Sequence, residues 1–293
     1  PNLLVCRTES DHHLTPKLKN KLGLFCNVET GYVFESPDVE TIYEIPIVLN
    51  QQKFDDIIIQ KLGLKLRLHK DSLNILENDI GRFKNPKHSV TIAMCGKYNS
   101  LHDAYKSIIE AFIHAGIENE TLVKVKWVDP EKLESGGIED VIFQQVDGIL
   151  IPGGFGNRGI EGKIMASRFA RENNIPFFGI CLGLQCAIID FARNVCGLEG
   201  ANSTEFEPEC KYPVIDLMPG QKNVKSKGAT MRLGSYICKL NDSTKAYEAY
   251  GQADIHERHR HRFEVNNQYR LQMEECGLVI SGENPELNLV EMV

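Results

Sequence analysis

The stretch Pro176-Phe177-Phe178-Gly179-Ile180-Cys181-Leu182-Gly183 decides the fold predicted for this chain. A short apolar strand over 176–180 leads into an amphipathic helix over 182–194, with Cys181 at the turn between them. Small residues on both sides of the cysteine let the chain turn sharply, which predicts a nucleophile elbow that carries a thiol. The helix N-terminus beside Cys181 favours the reactive thiolate. A buried cysteine at a tight turn is the alternative interpretation.

Strands and helices alternate on both sides of this elbow. We predict strands over 89–95, 122–128, 146–151 and 176–180, and helices over 101–115, 159–173 and 182–194. This alternation predicts an α/β fold with a doubly wound, mostly parallel sheet that binds ligands at the carboxyl ends of its strands. Further along the chain we predict a helix over 267–276 and strands over 277–280 and 287–293.

Residues 1–66 predict a separate and incomplete unit. We predict only short strands near 3–6, 24–26 and 32–34, which are too few for a self-contained sheet. The composition turns polar over 67–88, and we predict a linker there that ends at a domain boundary near residue 88. The second domain then covers 89–293. Because the chain starts inside a predicted strand and ends on an apolar run, we expect a piece of a longer protein.

Composition excludes several classes of protein. The 293 residues include 42% hydrophobic and 25% charged residues, which is typical of globular domains. A net charge of -7 does not favour a nucleic-acid-binding surface. The longest apolar run is far shorter than the roughly 20 residues that a membrane span needs. The nine cysteines form no C-x-x-C pair, so we expect neither a disulfide framework nor a zinc ribbon, and we expect a reducing cytoplasm.

A glycine-rich loop lies one strand-helix repeat before the elbow. Gly154, Gly156 and Gly159 satisfy G-x-G-x-x-G after a predicted strand, as in a dinucleotide-binding loop. A dinucleotide-binding domain has an acidic residue about 20 positions after this loop. In this chain, the next strand leads to the elbow with Cys181 instead. We therefore favour a loop whose backbone N–H groups, with that of Leu182, form an oxyanion hole beside the thiol. The dinucleotide-binding loop stays the alternative.

Two polar stretches after the elbow helix contain further candidate residues. Period-two alternation on a strand places Arg258, Arg260 and Arg262 on one face and His259 and His261 on the other. Two histidines can ligate a metal, but no further ligand pattern accompanies them, so we favour a guanidinium that grips a carboxylate. In the loop over 202–206, Glu205 can accept a substrate ammonium group, with a solvated surface residue as the alternative.

Several segments together closely resemble the CTP synthase family over essentially the whole chain. The segments are 96–98, 103–107, 152–162, 179–185, 202–206, 230–234 and 257–266. The resemblance implies an N-terminal synthetase domain of P-loop type, of which 1–66 look like the tail. It also implies a C-terminal class I glutamine amidotransferase domain with a flavodoxin-like sheet, truncated at its C-terminus.

The resemblance also implies roles for individual residues. Cys181 would attack the glutamine carboxamide and form a thioester. The residues that would contact glutamine are Gly154, Leu182, Gly183, Leu184, Gln185, Glu205 and Arg262. Gly154 and Leu182 would supply oxyanion N–H groups. In the synthetase tail, Lys21 would meet the UTP or CTP phosphates, and Asp38 with Val39 would lie near ATP.

The family converts UTP to CTP with ATP and with ammonia from glutamine, in a cytoplasmic homotetramer that uses Mg²⁺ and responds to GTP. The resemblance predicts these partners, and neither nucleic acid nor membrane. The loop over 230–234 would belong to the lid associated with GTP. Ala229, directly before this loop, stands where the family usually has a glycine. No G-x-x-x-x-G-K-[ST] loop is present. We place the Mg²⁺ site outside this chain.

The family completes its catalytic triad with a His-x-Glu pair near the C-terminus, and no histidine follows Arg262 in this chain. We therefore expect glutamine binding with poor hydrolysis. One alternative is a non-catalytic, glutamine-binding regulatory truncation of the same family. Another is an unrelated cysteine hydrolase built on the same elbow.

Overall fold

The computed structural model describes residues 1–65, 71–98, 101–136, 139–217 and 232–293, and it divides into two compact units. Unit 1 comprises Pro1–Ser89 and Glu110–Leu122, and unit 2 comprises Val90–Ile109 and Val123–Val293. The functional domain boundaries near residues 66 and 88 stay predictions. Among the helices of the described ranges, none has the length and apolar character that crossing a membrane requires.

The regular elements are as follows. The strands are β1 Leu4–Thr8, β2 Val33–Pro37, β3 His88–Cys95, β4 Thr121–Val128, β5 Gly148–Ile151, β6 Phe177–Gly179, β7 Ala201–Ser203, β8 Tyr212–Leu217, β9 Arg232–Leu240, β10 Asp254–His261, β11 Phe263–Val265, β12 Gly282–Asn284 and β13 Leu289–Met292. The α-helices are α1 Pro16–Cys26, α2 Ile45–Gln51, α3 Phe54–Leu62, α4 Asp71–Lys84, α5 Lys106–Glu118, α6 Pro130–Leu133, α7 Glu139–Ile142, α8 Ile160–Glu172, α9 Leu182–Asn194, α10 Lys245–Tyr250 and α11 Arg270–Glu275.

Unit 1 contains the parallel pair of β1 and β2. The strand predicted near 24–26 is wrong, because these residues form the last turn of α1. Thr15 caps this helix by accepting a hydrogen bond from the Leu18 N–H at 3.3 Å, and Pro16 is its first residue. These start signals outweigh the local apolar run. As a result, the side chains of Leu24 and Phe25 are 81% and 78% exposed.

The predicted linker over 67–88 contains the 14-residue helix α4. Leu73, Leu76 and Ile80 recur at helical spacing, which accounts for a helix within a polar stretch. Lys84, in its last turn, donates a hydrogen bond to a Glu44 carboxylate oxygen at 2.7 Å. The role of this segment as a linker between domains stays a prediction.

Unit 2 is built around a four-stranded sheet in the order β4-β3-β5-β6. The pairs β3–β5 and β5–β6 are parallel, and the predicted α/β fold with a mostly parallel sheet is confirmed. Buried Ile149 and Ile151 of β5 pack with Ala166 and Ala170 of α8. The helix predicted over 182–194 is confirmed as α9, and it packs against both β5 and β6.

The later part of unit 2 is mostly antiparallel. Strands β10-β9-β12-β13 form one sheet, and β11-β8-β7 form another in which only β7–β8 is parallel among the described pairs. The strand predicted over 277–280 is wrong: Gly277, at φ 101°, ends the turn after α11, and the Leu278 N–H bonds the Met273 carbonyl at 2.9 Å. Leu278 and Ile280 still pack on the core, which explains their apolar pattern.

Candidate active site

Cys181 stands at a sharp turn between β6 and α9. Its φ of 54° and ψ of -101° are strained for a residue other than glycine. A Cβ atom added at Gly179 would lie 2.5 Å from the carbonyl carbon of Gly183, and one added at Gly183 would lie 2.3 Å from the Ile151 oxygen. Only glycine therefore fits on either side of the turn, as the G-x-C-x-G pattern requires. The thiol is half-buried.

The loop after β5 lies directly against this turn. A Cβ atom added at Gly153 would lie 3.5 Å from the Cβ of Cys181, and one added at Gly154 would lie 3.3 Å from a methyl carbon of Leu182. Leu182 is the first residue of α9, so its N–H has no carbonyl partner within the helix. The arrangement suits an oxyanion hole beside the thiol.

Lys97, which follows β3, holds the glycine-rich loop. Its ammonium group donates hydrogen bonds to the carbonyl oxygens of Phe155, at 2.5 Å, and Gly156, at 3.0 Å. Burial lowers the pKa of Lys97, and the neighbouring Arg158 guanidinium lowers it further. Arg158 in turn donates to the Lys97 carbonyl oxygen at 3.0 Å. The sequence pattern alone did not predict this contact between Lys97, which follows β3, and the loop that follows β5.

A cavity of about 510 Å³ opens over the thiol. Its lining residues are Gly154, Phe155, Cys181, Gln185, Thr204, Glu205, Arg260, His261, Arg262 and Phe263. The structure thus brings together Cys181 and four of the seven residues predicted to contact glutamine. The other three lie beneath or beside the elbow: Leu182 is only 1% exposed, Gly183 contacts β5, and Leu184 lines a second cavity of about 10 Å³.

Opposite charges line this cavity. The Glu205 carboxylate accepts a hydrogen bond from the Gly156 N–H, and burial raises its pKa. The Nε atom of Arg262 is buried and has no hydrogen-bond partner among the described residues. A buried guanidinium nitrogen without a partner is costly unless a ligand completes it. This donor therefore fits the carboxylate of a bound molecule.

Arg262 does not continue the strand face that the alternation predicts. The strand β10 ends at His261, and Arg262 occupies the bend before β11. Gln185 fastens this bend to α9, because its side-chain amide donates to the Phe263 carbonyl at 3.1 Å. The bend turns the guanidinium of Arg262 into the cavity, which strand periodicity had no means of predicting.

Sequence reasoning missed His261 as a partner of Cys181. The imidazole hydrogen-bonds the thiol, and its Nδ1 lies 3.4 Å from Oε2 of Glu264. Burial lowers the pKa of His261, but hydrogen bonds to Cys181 and Glu264 outweigh it and raise the pKa to about 10. The alternation of arginine and histidine signalled a shared face for His259 and His261, but nothing connected that face with the elbow.

The nucleotide residues predicted in unit 1 line neither cavity described above. Lys21 is exposed on α1, with its ammonium group 6.0 Å above the Phe25 ring. Asp38 accepts a hydrogen bond from Arg7 Nε at 2.9 Å, and Val39 is half-buried after β2. Ala229 and the first part of the 230–234 lid lie outside the described residues. No group of three or more His, Cys, Asp or Glu side chains in the described ranges is arranged to hold a metal ion.

Comparisons with known proteins agree with this geometry. Residues 100–293 match the family model for glutamine amidotransferase class-I, and residues 1–64 match that for the CTP synthase N-terminus. The solved glutaminase domain of Trypanosoma brucei CTPS with bound acivicin aligns with a TM-score of 0.64 and 38% identity, covering 70% of this chain and 79% of that one. Fold and site together define a class I glutamine amidotransferase.

Full-length relatives narrow this class to one family. CTP synthase from Caldanaerobacter subterraneus subsp. tengcongensis is 51% identical over 293 residues, which are 100% of this chain and 54% of that protein. CTP synthase from Chloroherpeton thalassium is 52% identical over 295 residues, which are 100% of this chain and 52% of that protein. The chain belongs to the CTP synthase family. It spans about half the length of these relatives.

Proposed function

We propose that this chain hydrolyses glutamine at Cys181 and supplies the ammonia for the amination of UTP to CTP. One observation carries the proposal: the strained Cys181 opens into a cavity that is also lined by Arg262, whose buried Nε has no partner among the described residues, and by the half-buried Glu205. Glutamine presents a carboxamide, an α-carboxylate and an α-ammonium group. The cavity offers one complementary group for each.

Binding of the amino acid end positions the carboxamide. The Arg262 guanidinium grips the α-carboxylate, because its planar fork matches two carboxylate oxygens. Glu205 accepts the α-ammonium group. Gln185 lies in the cavity wall and holds the bend that carries Arg262. With both charged groups held, the side-chain carboxamide of glutamine is directed towards the thiol.

The chemical step begins when the Cys181 sulfur forms a bond to the carboxamide carbon. The carbonyl electron pair moves to oxygen, and the N–H groups of Gly154 and Leu182 stabilise that oxyanion. The proton lost from the thiol is delivered to the amide nitrogen, the carbon–nitrogen bond breaks and ammonia leaves, so a thioester remains on Cys181. Water then hydrolyses the thioester to glutamate and restores the thiol.

In the whole protein, the reaction is UTP, ATP, glutamine and water to CTP, ADP, phosphate and glutamate. The match of residues 1–64 to the CTP synthase N-terminus supports this extension. The nucleotides are proposed to contact Lys21, Asp38 and Val39. GTP and CTP are proposed to act as effectors of the whole protein. The cytoplasmic location and the homotetramer stay predictions from the family. The Mg²⁺ site outside this chain stays a prediction from the family, and no step is assigned to the ion.

Labelling with the chloroketone analogue of glutamine tests the proposal. We expect one label per chain, on the peptide that contains Cys181, with protection by L-glutamine and none by L-asparagine. Cys181→Ser should abolish this label. Cys210→Ser, which removes another half-buried thiol of unit 2, is the matched control and should leave it unchanged.

Release of glutamate from the same preparation separates the remaining interpretations. Protected labelling together with glutamate release supports the proposal, whether or not release is slow. Protected labelling without any release favours a glutamine-binding regulatory chain. Labelling spread over several cysteines, or labelling that glutamine does not prevent, overturns the assignment of this cavity.

A further inference from the structure

A further cavity, of about 310 Å³, lies within unit 1. Helices α4 and α5 form most of its wall, and the stretch that leads into α2 supplies the rest. It shares no lining residue with the cavity over Cys181. Its volume is at the lower end of the range of small-molecule sites, which suits a ligand with a single ring.

One part of the cavity wall is apolar. Leu76, Ile80 and Phe83 recur at helical spacing along α4, and Ile117 of α5 lines the same cavity. All four residues are half-buried, so they keep apolar area that a bound ring can remove from water. Phe83 and Tyr43 also offer aromatic surface, which favours an aromatic ring.

Asp79 interrupts this apolar pattern. It lies three residues after Leu76 and four before Phe83, so it shares the face of α4 that lines the cavity. Asp79 is half-buried and has no hydrogen-bond or ion-pair partner among the described residues. Arg82, one turn further along α4, lies 3.5 Å from Glu118 instead. Because burial of a charge without a partner is costly, the Asp79 carboxylate fits a cationic group of a bound molecule.

The other polar groups of the wall leave negative charge in excess. The lining residues in the described ranges include two carboxylates, Asp79 and Glu118, and neither lysine nor arginine. The side chains of Glu118 and Arg82 are 82% and 46% exposed, so their ion pair is weak. The Tyr43 hydroxyl donates its only proton to Glu110, at 2.8 Å, and therefore offers no donor to an anion. The cavity thus favours a cation over an anion.

We propose that this cavity binds a small primary amine that carries an aromatic ring. The ammonium group donates hydrogen bonds to the Asp79 carboxylate, and a charged pair of this kind is stronger than a neutral one. The ring packs against Ile80 and Phe83 of α4. This site lies apart from Cys181, so the inference does not depend on the proposed function.

Calorimetric titration of the unchanged chain with 2-phenylethylamine tests the site. We expect a dissociation constant of about 0.1–1 mM, which is typical of a ligand of this size. Two ligands with the same ring and a similar length are the controls. 2-Phenylethanol is uncharged and 3-phenylpropanoate is an anion, so both should bind at least about tenfold more weakly. Butylamine keeps the ammonium group and lacks the ring, and it should also bind more weakly.

Two variants of α4 assign the binding to this cavity. Asp79→Asn should weaken the binding of 2-phenylethylamine by about tenfold or more, because it removes the charge that pairs with the ammonium group. Glu77→Gln changes the net charge equally at an exposed position outside the cavity, and it should leave the dissociation constant unchanged. Equal binding by Asp79→Asn and the unchanged chain overturns the proposal. If Asp79→Asn does not fold, the ligand series decides: equal binding of the amine and the alcohol to the unchanged chain overturns it as well.

A titration in the presence of L-glutamine separates the two cavities. In the Cys181→Ser background, glutamine should leave the dissociation constant of 2-phenylethylamine unchanged. Displacement of the amine by glutamine would place it in the cavity over residue 181 and overturn the inference. Because labelling of Cys181 takes no part in these titrations, failure of the amine site leaves the proposed function intact, and failure of the labelling leaves the amine site intact.

Discussion

At the scale of single residues, we expect the protonation state of Glu205 to control the affinity of the candidate site for an ammonium group. Burial raises the pKa of this carboxyl, although the Gly156 N–H and Lys97 stabilise its charged form. A protonated Glu205 has no charge to offer the ammonium. The dissociation constant of glutamine should therefore increase as the pH falls from about 8 to about 5. Calorimetric titration of Cys181→Ser, which we expect to bind glutamine without turnover, measures this change.

Two variants identify the responsible carboxylate, each made in the Cys181→Ser background. Glu205→Gln should weaken binding at about pH 8 by roughly tenfold to a hundredfold, the cost of one charged hydrogen bond, and should flatten the pH profile. Glu209→Gln, an exposed acid in the same loop, should keep the original profile. A steep profile in Glu205→Gln would mean that another group holds the ammonium.

At the scale of elements, the closeness of α9 to β5 depends on Gly183. An added Cβ atom would lie 2.3 Å from the Ile151 oxygen, which is backbone and has little freedom to move. We therefore expect Gly183→Ala to lower the free energy of unfolding by about 1–3 kcal/mol, as for other overpacked sites. Urea denaturation followed by circular dichroism gives the value. The same shift should displace Cys181 and reduce labelling by the glutamine analogue.

Gly81→Ala is the control for this prediction. Gly81 lies inside α4, and no atom would lie within 4 Å of its added Cβ. Alanine in an open helical position should raise stability by up to about 1 kcal/mol. Equal free energies of unfolding for Gly183→Ala and the unchanged chain would contradict the prediction, because α9 could then move away from β5 without loss of stability.

At the scale of the whole molecule, Arg232 links the two sheets in the later part of unit 2. Arg232 is only 4% exposed. Its guanidinium donates hydrogen bonds of 2.6 and 2.7 Å to the Glu291 carboxylate on β13. Its Nε lies 3.4 Å from Glu264 on β11, in the other sheet. These strands carry His261 and the bend with Arg262. The ion pair therefore supports the wall of the candidate site.

Arg232→Met should lower the free energy of unfolding by about 3–5 kcal/mol, because it leaves two buried carboxylates without their cation. The loss should shrink in acid, where the carboxylates of the variant take up protons. Arg258→Met, at an exposed position on neighbouring β10, should stay within about 0.5 kcal/mol of the unchanged chain. Urea titrations at two pH values check both statements, and a loss that is independent of pH would point to packing alone.

Much of the fold was predictable because its signals are local. Strands β3 and β5 and helices α8 and α9 follow from apolar runs and helical periodicity, and the turn at Cys181 follows from the glycines around it. The errors were also local in origin. The apolar Leu24 and Phe25 suggested a strand, but the Thr15 cap and the proline after it had already started a helix. Leu278 and Ile280 pack on the core from an irregular segment, which binary patterning does not distinguish from a strand.

By itself, the sequence determined the parallel α/β sheet, the elbow and the glycine-rich loop beside it, since each depends on residues close together in the chain. Tertiary structure alone decided that His261 and Glu264 stand behind Cys181 and that Arg262 turns into the cavity. These contacts join segments far apart in the chain, and they depend on where β10 ends and how its bend is held by Gln185. Strand periodicity assigns a face to a side chain, whereas only the packed fold determines which group that face meets.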